Sequence, residues 1–94
     1  MERKLAFGSA LREVRLIKNI AQEQLGASQS FVSTVERGIR SPTIEKMDEF
    51  AERLGVNPAT LIVLMQLGLD DDEESLLRRV RDEIRALRKK GSKA

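Results

Sequence analysis

The sequence predicts an all-α protein, with five short helices in a compact head and one amphipathic helix at the C-terminal end. Apolar residues recur at spacings of three and four, as on one face of a helix, and no segment sustains the alternation typical of a strand. Residues that start and stop helices separate these periodic segments. With 94 residues, of which 40% are hydrophobic, the chain has enough apolar side chains for one modest core. We expect two units, a head over residues 1–68 and a C-terminal helix over residues 69–94.

Capping residues set the expected boundaries of the helices. Ser28, Thr43 and Asn57 are good N-caps, while Asn19 and Gly55 tolerate the left-handed conformation that ends a helix. The expected spans are, in order, about Leu5–Lys18, Ala21–Leu25, Ser28–Gly38, Ile44–Leu54, Pro58–Leu67 and Asp71–Lys90.

The residue types that are missing argue against several classes of function. The chain has no cysteine and no histidine, so it lacks a disulfide framework, a thiolate nucleophile, the commonest zinc ligand and the usual general base. No glycine-rich phosphate loop or nucleophile elbow is present. We therefore expect no enzymatic activity, no cofactor and no metal. Since no apolar run approaches the roughly 20 residues that cross a bilayer, and residues 1–10 lack a signal-peptide pattern, we expect a cytoplasmic protein without a membrane partner.

The last third of the chain separates its charges. Residues 70–74 are all acidic, whereas Arg85, Arg88, Lys89, Lys90 and Lys93 form a basic end. Acidic residues at the start of a helix and basic residues at its end complement the helix dipole, which is the interpretation we favour. A tail that contacts nucleic acid directly is the alternative.

The outward face of the third helix carries the main functional signal. Gln29, Ser30, Ser33 and Thr34 are expected to face solvent, although serine and threonine are not favoured helix formers. A short face of amides and hydroxyls without acids suits the major groove of DNA, where glutamine pairs with adenine and hydroxyls bond to several base edges. The alternative is a surface helix whose polar residues have no special role.

Two arginines follow the third helix closely. Arg37 and Arg40 lie where the chain leaves that helix, so we expect them to reach phosphates of bound DNA.

Five segments of the chain carry patterns that point to one family. They are, in chain order, FGSALREVR from Phe7, AQEQL from Ala21, SQSFVSTVERG from Ser28, SPT from Ser41 and LGV from Leu54. Together they resemble the XRE family of lambda-type phage repressors and Cro, over about residues 5–67, and the string in the third helix is the most specific. The resemblance implies a helix-turn-helix domain over residues 1–68 that binds double-stranded DNA.

The resemblance also implies roles for individual residues. The positions that match base-reading residues of the family are Ser28, Gln29, Ser30 and Thr34. Gln22 matches a glutamine that bonds a phosphate and can brace a side chain of the recognition helix, and Ser33 lies close to the DNA backbone. Arg15 and Glu36 match a buried ion pair that links the first and third helices, and such a pair holds geometry better than it adds stability.

One spacing departs from the family pattern. Ser28 follows Gln22 by six positions, about four fewer than is usual in the family, and four residues are about one helical turn. We therefore expect a second helix of barely one turn and a shorter brace from Gln22.

Apolar side chains of the fifth and last helices predict a homodimer. Residues 61–67 are apolar almost all round, which indicates either enclosure between the head and the last helix or contact with a second copy. In the last helix, apolar residues spaced three, four and three apart form a seam about two heptads long. The expected interface consists of Leu61, Leu64, Met65, Leu77, Val80, Ile84 and Leu87. Packing of the seam within one chain, or docking of a different protein, are the alternatives.

These observations predict a sequence-specific transcriptional regulator, a repressor that binds a palindromic operator as a homodimer. A single recognition helix reads only a few base pairs, so useful specificity requires two of them. The alternative function is an antitoxin or another protein-interaction module that binds a partner protein through the C-terminal helix and regulates its own promoter.

Overall fold

The computed structural model describes residues 2–69 and 72–91, and every regular element in this part of the chain is helical. The elements are α1 (Arg3–Ile17), a 3₁₀ helix (Gln22–Leu25), α2 (Gln29–Glu36), α3 (Ile44–Leu54), α4 (Pro58–Leu67) and α5 (Glu73–Gly91). The predicted all-α class is therefore confirmed, with a 3₁₀ helix in second position. The predictions that concern Asp70, Asp71 and Lys93 fall outside the described residues.

The capping residues begin and end the helices as the sequence predicts. Side-chain oxygens of Ser28, Thr43 and Asn57 each accept a hydrogen bond from a backbone N–H in the first turn of the helix that follows. Asn19, with φ of 58°, and Gly55, with φ of 71°, adopt the left-handed conformation after α1 and α3. These local interactions fix most helix boundaries to within about two residues of their expected positions.

One hydrophobic core lies inside the head. Helix α1 contacts both α2 and α4, and α3 packs against α4 and the 3₁₀ helix. The largest side chains with almost no exposed surface are Phe50, Leu11, Leu25, Leu54, Leu61, Val32 and Val35. Every element of the head supplies at least one of these side chains. The core therefore fixes the position of α2 through the buried face of that helix.

Helix α1 approaches the end of α2 very closely at a glycine. A Cβ atom added to Gly8 would lie 2.7 Å from the backbone oxygen of Glu36, and closer still to that of Val35. The missing side chain lets the two backbones touch. This crossing brings the next turns of α1 alongside the last turn of α2.

The short spacing before α2 leaves room for a single turn, which is a 3₁₀ helix over Gln22–Leu25. Leu25, with no exposed surface, anchors this turn in the core. The Gln24 side chain accepts a hydrogen bond from the Ala21 backbone N–H at 2.7 Å, and Gly26 ends the turn with φ of 81°. The turn is thus packed and capped despite its length.

Two residues of α4 that the sequence assigns to the dimer interface are buried in the core. Leu61 is 0% exposed and Met65 is 9% exposed, because α4 lies against both α1 and α3 and buries these side chains in the core. These two side chains therefore present almost no surface to a second copy, unlike the other residues of the expected interface. Leu64 is half-buried at the edge of the same core.

Helix α5 extends beyond the head and buries little. Among its described residues only Leu76 is buried, at 4% exposure. Within the part of the chain that the structure describes, no helix is long and apolar enough to span a membrane.

Candidate nucleic-acid interface

Helix α2 separates an apolar face from a polar one. Val32 and Val35 point into the core and have no exposed surface, whereas Gln29 and Ser30 are exposed. The apolar face holds the helix on the head, and the polar face is left open to a ligand. The helix carries no acidic residue in its first turn, so a polyanion that approaches its N-terminal half meets no carboxylate of that turn.

The hydroxyl groups of Ser28 and Thr34 make different hydrogen bonds within this segment. The Ser28 Oγ accepts from the Phe31 backbone N–H at 3.1 Å, which leaves its hydrogen available to an outside acceptor. The Thr34 Oγ1 donates to the Phe31 carbonyl at 2.7 Å, so toward a ligand it retains an acceptor and its methyl group. Ser33 is half-buried on the same helix. Ser28 is thus both the cap of α2 and a member of its polar face.

A buried ion pair ties α2 to α1. The Arg15 Nε lies 2.6 Å from the Glu36 Oε2, and the Arg15 Nη2 lies 3.0 Å from the Glu36 Oε1. The two side chains are only 10% and 3% exposed. The hydrogen bond to Glu36 raises the pKa of Arg15 above its ordinary value despite the opposing effect of burial, so the guanidinium keeps its charge. The pair is bidentate and fixes the angle between the helices.

Two further groups complete this network. The Arg15 Nη1 donates to the Ile20 carbonyl at 3.0 Å, and the Gln22 Nε2 donates to the Glu36 Oε1 at 3.0 Å. The network therefore joins α1, the 3₁₀ helix and the last turn of α2. One of the two N–H groups of the Gln22 amide is committed to this carboxylate, so at most one remains for the phosphate contact that the sequence predicts.

A lysine of α3 holds the loop that enters α2, and sequence reasoning missed it. The Lys46 Nζ donates to the Gly26 carbonyl at 3.4 Å and pairs with the Glu49 Oε1 at 3.0 Å. The rings of Phe31 and Phe50 lie 6.5 Å apart at an angle of 44°, so α3 also supports the first turn of α2. The three-residue spacing of Lys46 and Glu49 is a signal for the ion pair, but nothing local indicates the contact with Gly26.

The two arginines beyond α2 are exposed at its C-terminal end. The Arg37 Nε donates to the Ser33 carbonyl at 3.4 Å, which leaves other N–H groups of its guanidinium free to bond outward. Gly38, with φ of 77°, turns the chain away from the helix, and Arg40 follows it on the surface. Both positive charges therefore border the polar face of α2.

Comparison with known proteins identifies this arrangement. A family model described as helix-turn-helix matches residues 11–61, more than half of the chain. The chain belongs to the XRE-type helix-turn-helix family. Members of this family are DNA-binding transcriptional regulators.

Two curated relatives support the membership of this helix-turn-helix protein. The control protein C.BamHI of Bacillus amyloliquefaciens is 31% identical over an alignment of 70 residues, and the match covers 69% of this chain and 86% of that protein. The HTH-type transcriptional regulator y4dJ of Sinorhizobium fredii is 35% identical over an alignment of 66 residues, and the match covers 66% of this chain and 86% of that protein.

Two solved structures share the helix-turn-helix fold. The restriction-modification controller protein C.AhdI from Aeromonas hydrophila superposes with a TM-score of 0.58 at 36% identity, and the match covers 61% of this chain and 92% of that one. The clp gene regulator ClgR from Corynebacterium glutamicum superposes with a TM-score of 0.68 over 93% of this chain and 92% of its own, and at 23% identity this likeness concerns the fold alone.

The apolar seam that the sequence predicts in the last helix lies on the surface of this helix-turn-helix protein, along α5. Leu77, Val80, Ile84 and Leu87 are 39–71% exposed, so much of the seam is open to solvent in the single chain. Leu76, which sequence reasoning did not single out, attaches α5 to the head instead. A pattern of threes and fours identifies an apolar stripe but does not show which neighbouring residue meets the head.

Proposed function

We propose that this protein reads double-stranded DNA with the exposed face of α2, acts as a homodimer on a palindromic operator, and represses transcription there. The observation that carries the proposal is the polar face of α2, which is free of acids and stands on a helix held rigidly by the core and the Arg15–Glu36 pair. A face held in this way can distinguish bases, because discrimination requires donors and acceptors in fixed positions.

The side chains of this face favour particular bases. The amide of Gln29 can donate to and accept from the edge of adenine, and its exposed position leaves both groups free. Thr34 offers an acceptor and a methyl group, which suits an amino group or the methyl of thymine. Arg37 and Arg40 supply sequence-independent contacts to phosphates at the edge of the site.

Dimerisation follows from the size of the site and from the exposed stripe on α5. One recognition helix contacts only a few base pairs, and a two-fold partner doubles that number on a palindrome. Occupancy of such an operator blocks other proteins from the same DNA, and this is the basis for proposing repression.

A genomic footprint with the purified protein tests this function. We expect protected sites with two inverted half-sites about one helical turn, roughly 34 Å, apart. Loss of expression from the adjoining promoter in the presence of the protein is the expected sign of regulation. Uniform protection without a repeated half-site would contradict sequence-specific binding.

Gln29→Ala is expected to relax base preference at one position in each half-site, at a cost of about 1–3 kcal/mol in binding free energy. The reason is the loss of the amide that pairs with one base edge. Binding to a set of operators that differ at single positions measures the effect. Gln66→Ala on α4, away from the polar face, is the matched control and is expected to leave the preference unchanged. An equal loss on operator and random DNA would count against base reading by Gln29.

Arg37→Ala and Arg40→Ala are each expected to weaken binding to all sequences alike. Each change removes one phosphate contact, so the slope of log affinity against log salt concentration should fall by about one. Titrations at several salt concentrations, on operator and on random DNA, measure both effects. Slopes that stay at the wild-type value in both variants would show that these arginines do not contact phosphates.

A second function is favoured by the same exposed stripe on α5. We propose as the alternative that the stripe docks a different protein, so that the chain acts as an antitoxin or interaction module that also binds its own promoter. Co-purification of one partner in fixed proportion, with loss of that partner after truncation at Gly68, would support this alternative over the homodimer.

A further inference from the structure

The apolar stripe of α5 has a charged stripe beside it. Arginines at 78, 81, 85 and 88 repeat with the same spacing as the seam, one residue further along the chain, and all are exposed. The Arg78 Nη2 lies 3.6 Å from the Glu74 Oε1, and the Arg81 Nε lies 3.3 Å from the Asp82 Oδ1. Within residues 2–69 and 72–91, no ion pair to Arg85 or Arg88 is present. Within the described part of the chain, the second half of the arginine stripe thus has no carboxylate paired with it.

The two ends of α5 carry opposite charge. Asp72, Glu73 and Glu74 begin the helix, and the Asp72 carboxylate caps it by accepting from the Ser75 backbone N–H at 2.9 Å. From position 85 onward the described part of the helix has basic residues and no acidic one. A surface that complements α5 must therefore be apolar in the middle, basic at one end and acidic at the other. A second copy of α5, turned end over end, has these properties.

We propose that two copies of the protein pair through antiparallel α5 helices. This inference rests on the proposed homodimer and specifies its partner surface and direction. In the antiparallel register that centres the seam, Leu77 faces the partner's Leu87, and Val80 faces the partner's Ile84. Glu74 then flanks the partner's Arg88, an arginine without an ion pair among the described residues of its own chain. The two-fold axis repeats each of these contacts.

The head extends the same surface. An open apolar groove between α4 and the start of α5 is lined by Val63, Leu64, Leu67 and Leu77. Leu87, at 71% exposure, is the most exposed residue of the seam. Antiparallel pairing brings the partner's Leu87 to Leu77, and therefore to the mouth of this groove. The head thus lengthens an interface that two heptads alone would leave marginally stable.

The opposite, parallel arrangement is disfavoured by charge. It places the acidic starts of two helices together and the basic ends together, and like charges at close range repel. A parallel pair also places the partner's Leu87 far from the apolar groove between α4 and the start of α5. Charge and apolar surface therefore select the same direction.

Cysteine cross-linking of the 94-residue chain tests this direction directly, because this sequence has no cysteine. Under mild oxidation, the double variant Leu77→Cys/Leu87→Cys is expected to form a covalent dimer, while each single variant stays uncross-linked. An antiparallel pair places residue 77 beside the partner's residue 87, within the few ångströms that a disulfide requires. Cross-linking of the single variants would overturn the proposal, since it requires a parallel pair.

A charge exchange provides an independent readout that needs no cysteine. Glu74→Arg and Arg88→Glu are each expected to raise the dimer dissociation constant about tenfold, because each turns two flanking attractions into repulsions. The variant with both changes is expected to return to within about threefold of wild type. Weakening in the double variant equal to the product of the two single effects would overturn the antiparallel pair.

Sedimentation of the wild-type chain separates failure of this inference from failure of the proposed function. A dimer in solution without the double-variant cross-link means that another surface joins the copies, which overturns the antiparallel pair and leaves the homodimer standing. A monomer at micromolar concentration that binds an isolated half-site as tightly as a palindrome overturns both. Base preference of α2 toward that half-site, measured separately, still tests DNA reading.

Discussion

Replacing Arg15 with alanine is expected to lower the free energy of unfolding by about 3–5 kcal/mol. The Glu36 side chain is 3% exposed, and it would lose both hydrogen bonds from the guanidinium and keep only that from Gln22. A buried carboxylate left without its cation costs much more than the intact pair contributes. Urea denaturation followed by helical circular dichroism measures the loss.

The control for this variant lies one turn earlier on the same helix. Arg12→Ala removes an equal charge from an exposed position, so we expect a change within about 0.5 kcal/mol. Replacing Arg15 and Glu36 together by methionine is expected to recover most of the lost stability, since no unpaired charge then remains buried. A loss below about 1 kcal/mol for Arg15→Ala would mean that the carboxylate finds water or another donor instead.

The pH dependence of the pair follows from the pKa of Arg15. The hydrogen bond to Glu36 raises the pKa of Arg15 in the folded protein above its ordinary, already strongly basic value. A raised pKa contributes stability that is fully present below the unfolded value and is lost only as the pH rises through the folded one. The arginine's contribution is therefore expected to stay constant between about pH 6 and pH 9.

Ile84→Asp is expected to raise the dimer dissociation constant at least about a hundredfold, and to weaken binding to a palindromic operator in parallel. Ile84 is 47% exposed in the single chain, so a carboxylate there costs the head little. In the dimer it would be buried twice without a partner, and an unpaired buried charge costs several kcal/mol. Sedimentation and operator titration measure the two effects.

The matched control for Ile84→Asp is Ala86→Asp on the opposite side of α5. Ala86 is exposed and lies outside the apolar stripe, so the same added charge should leave self-association within a few-fold of wild type. Equal weakening by both variants would point to an effect of charge on the helix itself. Unchanged association in Ile84→Asp would exclude the stripe as the dimer surface.

Local patterns in the sequence suffice for the elements of this fold. Caps at Ser28, Thr43 and Asn57 work through neighbouring backbone groups, so they can be recognised without a tertiary structure. The same holds for the polar face of α2 and for the left-handed stop at Asn19. The short spacing between Gln22 and Ser28 likewise predicts a single turn, because too few residues remain for a longer helix.

The burial of α4 and α5 could not be predicted in this way. An apolar residue carries the same local signal whether it meets its own core or a second copy, and Leu61 and Met65 meet the core only because α4 lies between α1 and α3. In α5, the adjacent residues Leu76 and Leu77 differ in burial, because the helix contacts the head through Leu76 and leaves Leu77 largely exposed. Periodicity describes a face, while its neighbour depends on how the helices cross.

The sequence by itself therefore determined the class of protein, the polar face of α2 and most of the helix boundaries. Only the tertiary structure decided how that helix is held. Gly8 lets two backbones touch, and the Gln22 amide donates to the Glu36 carboxylate of the Arg15–Glu36 pair. Contacts between residues far apart in the chain depend on the packing of whole helices, and no local pattern of residues specifies that packing.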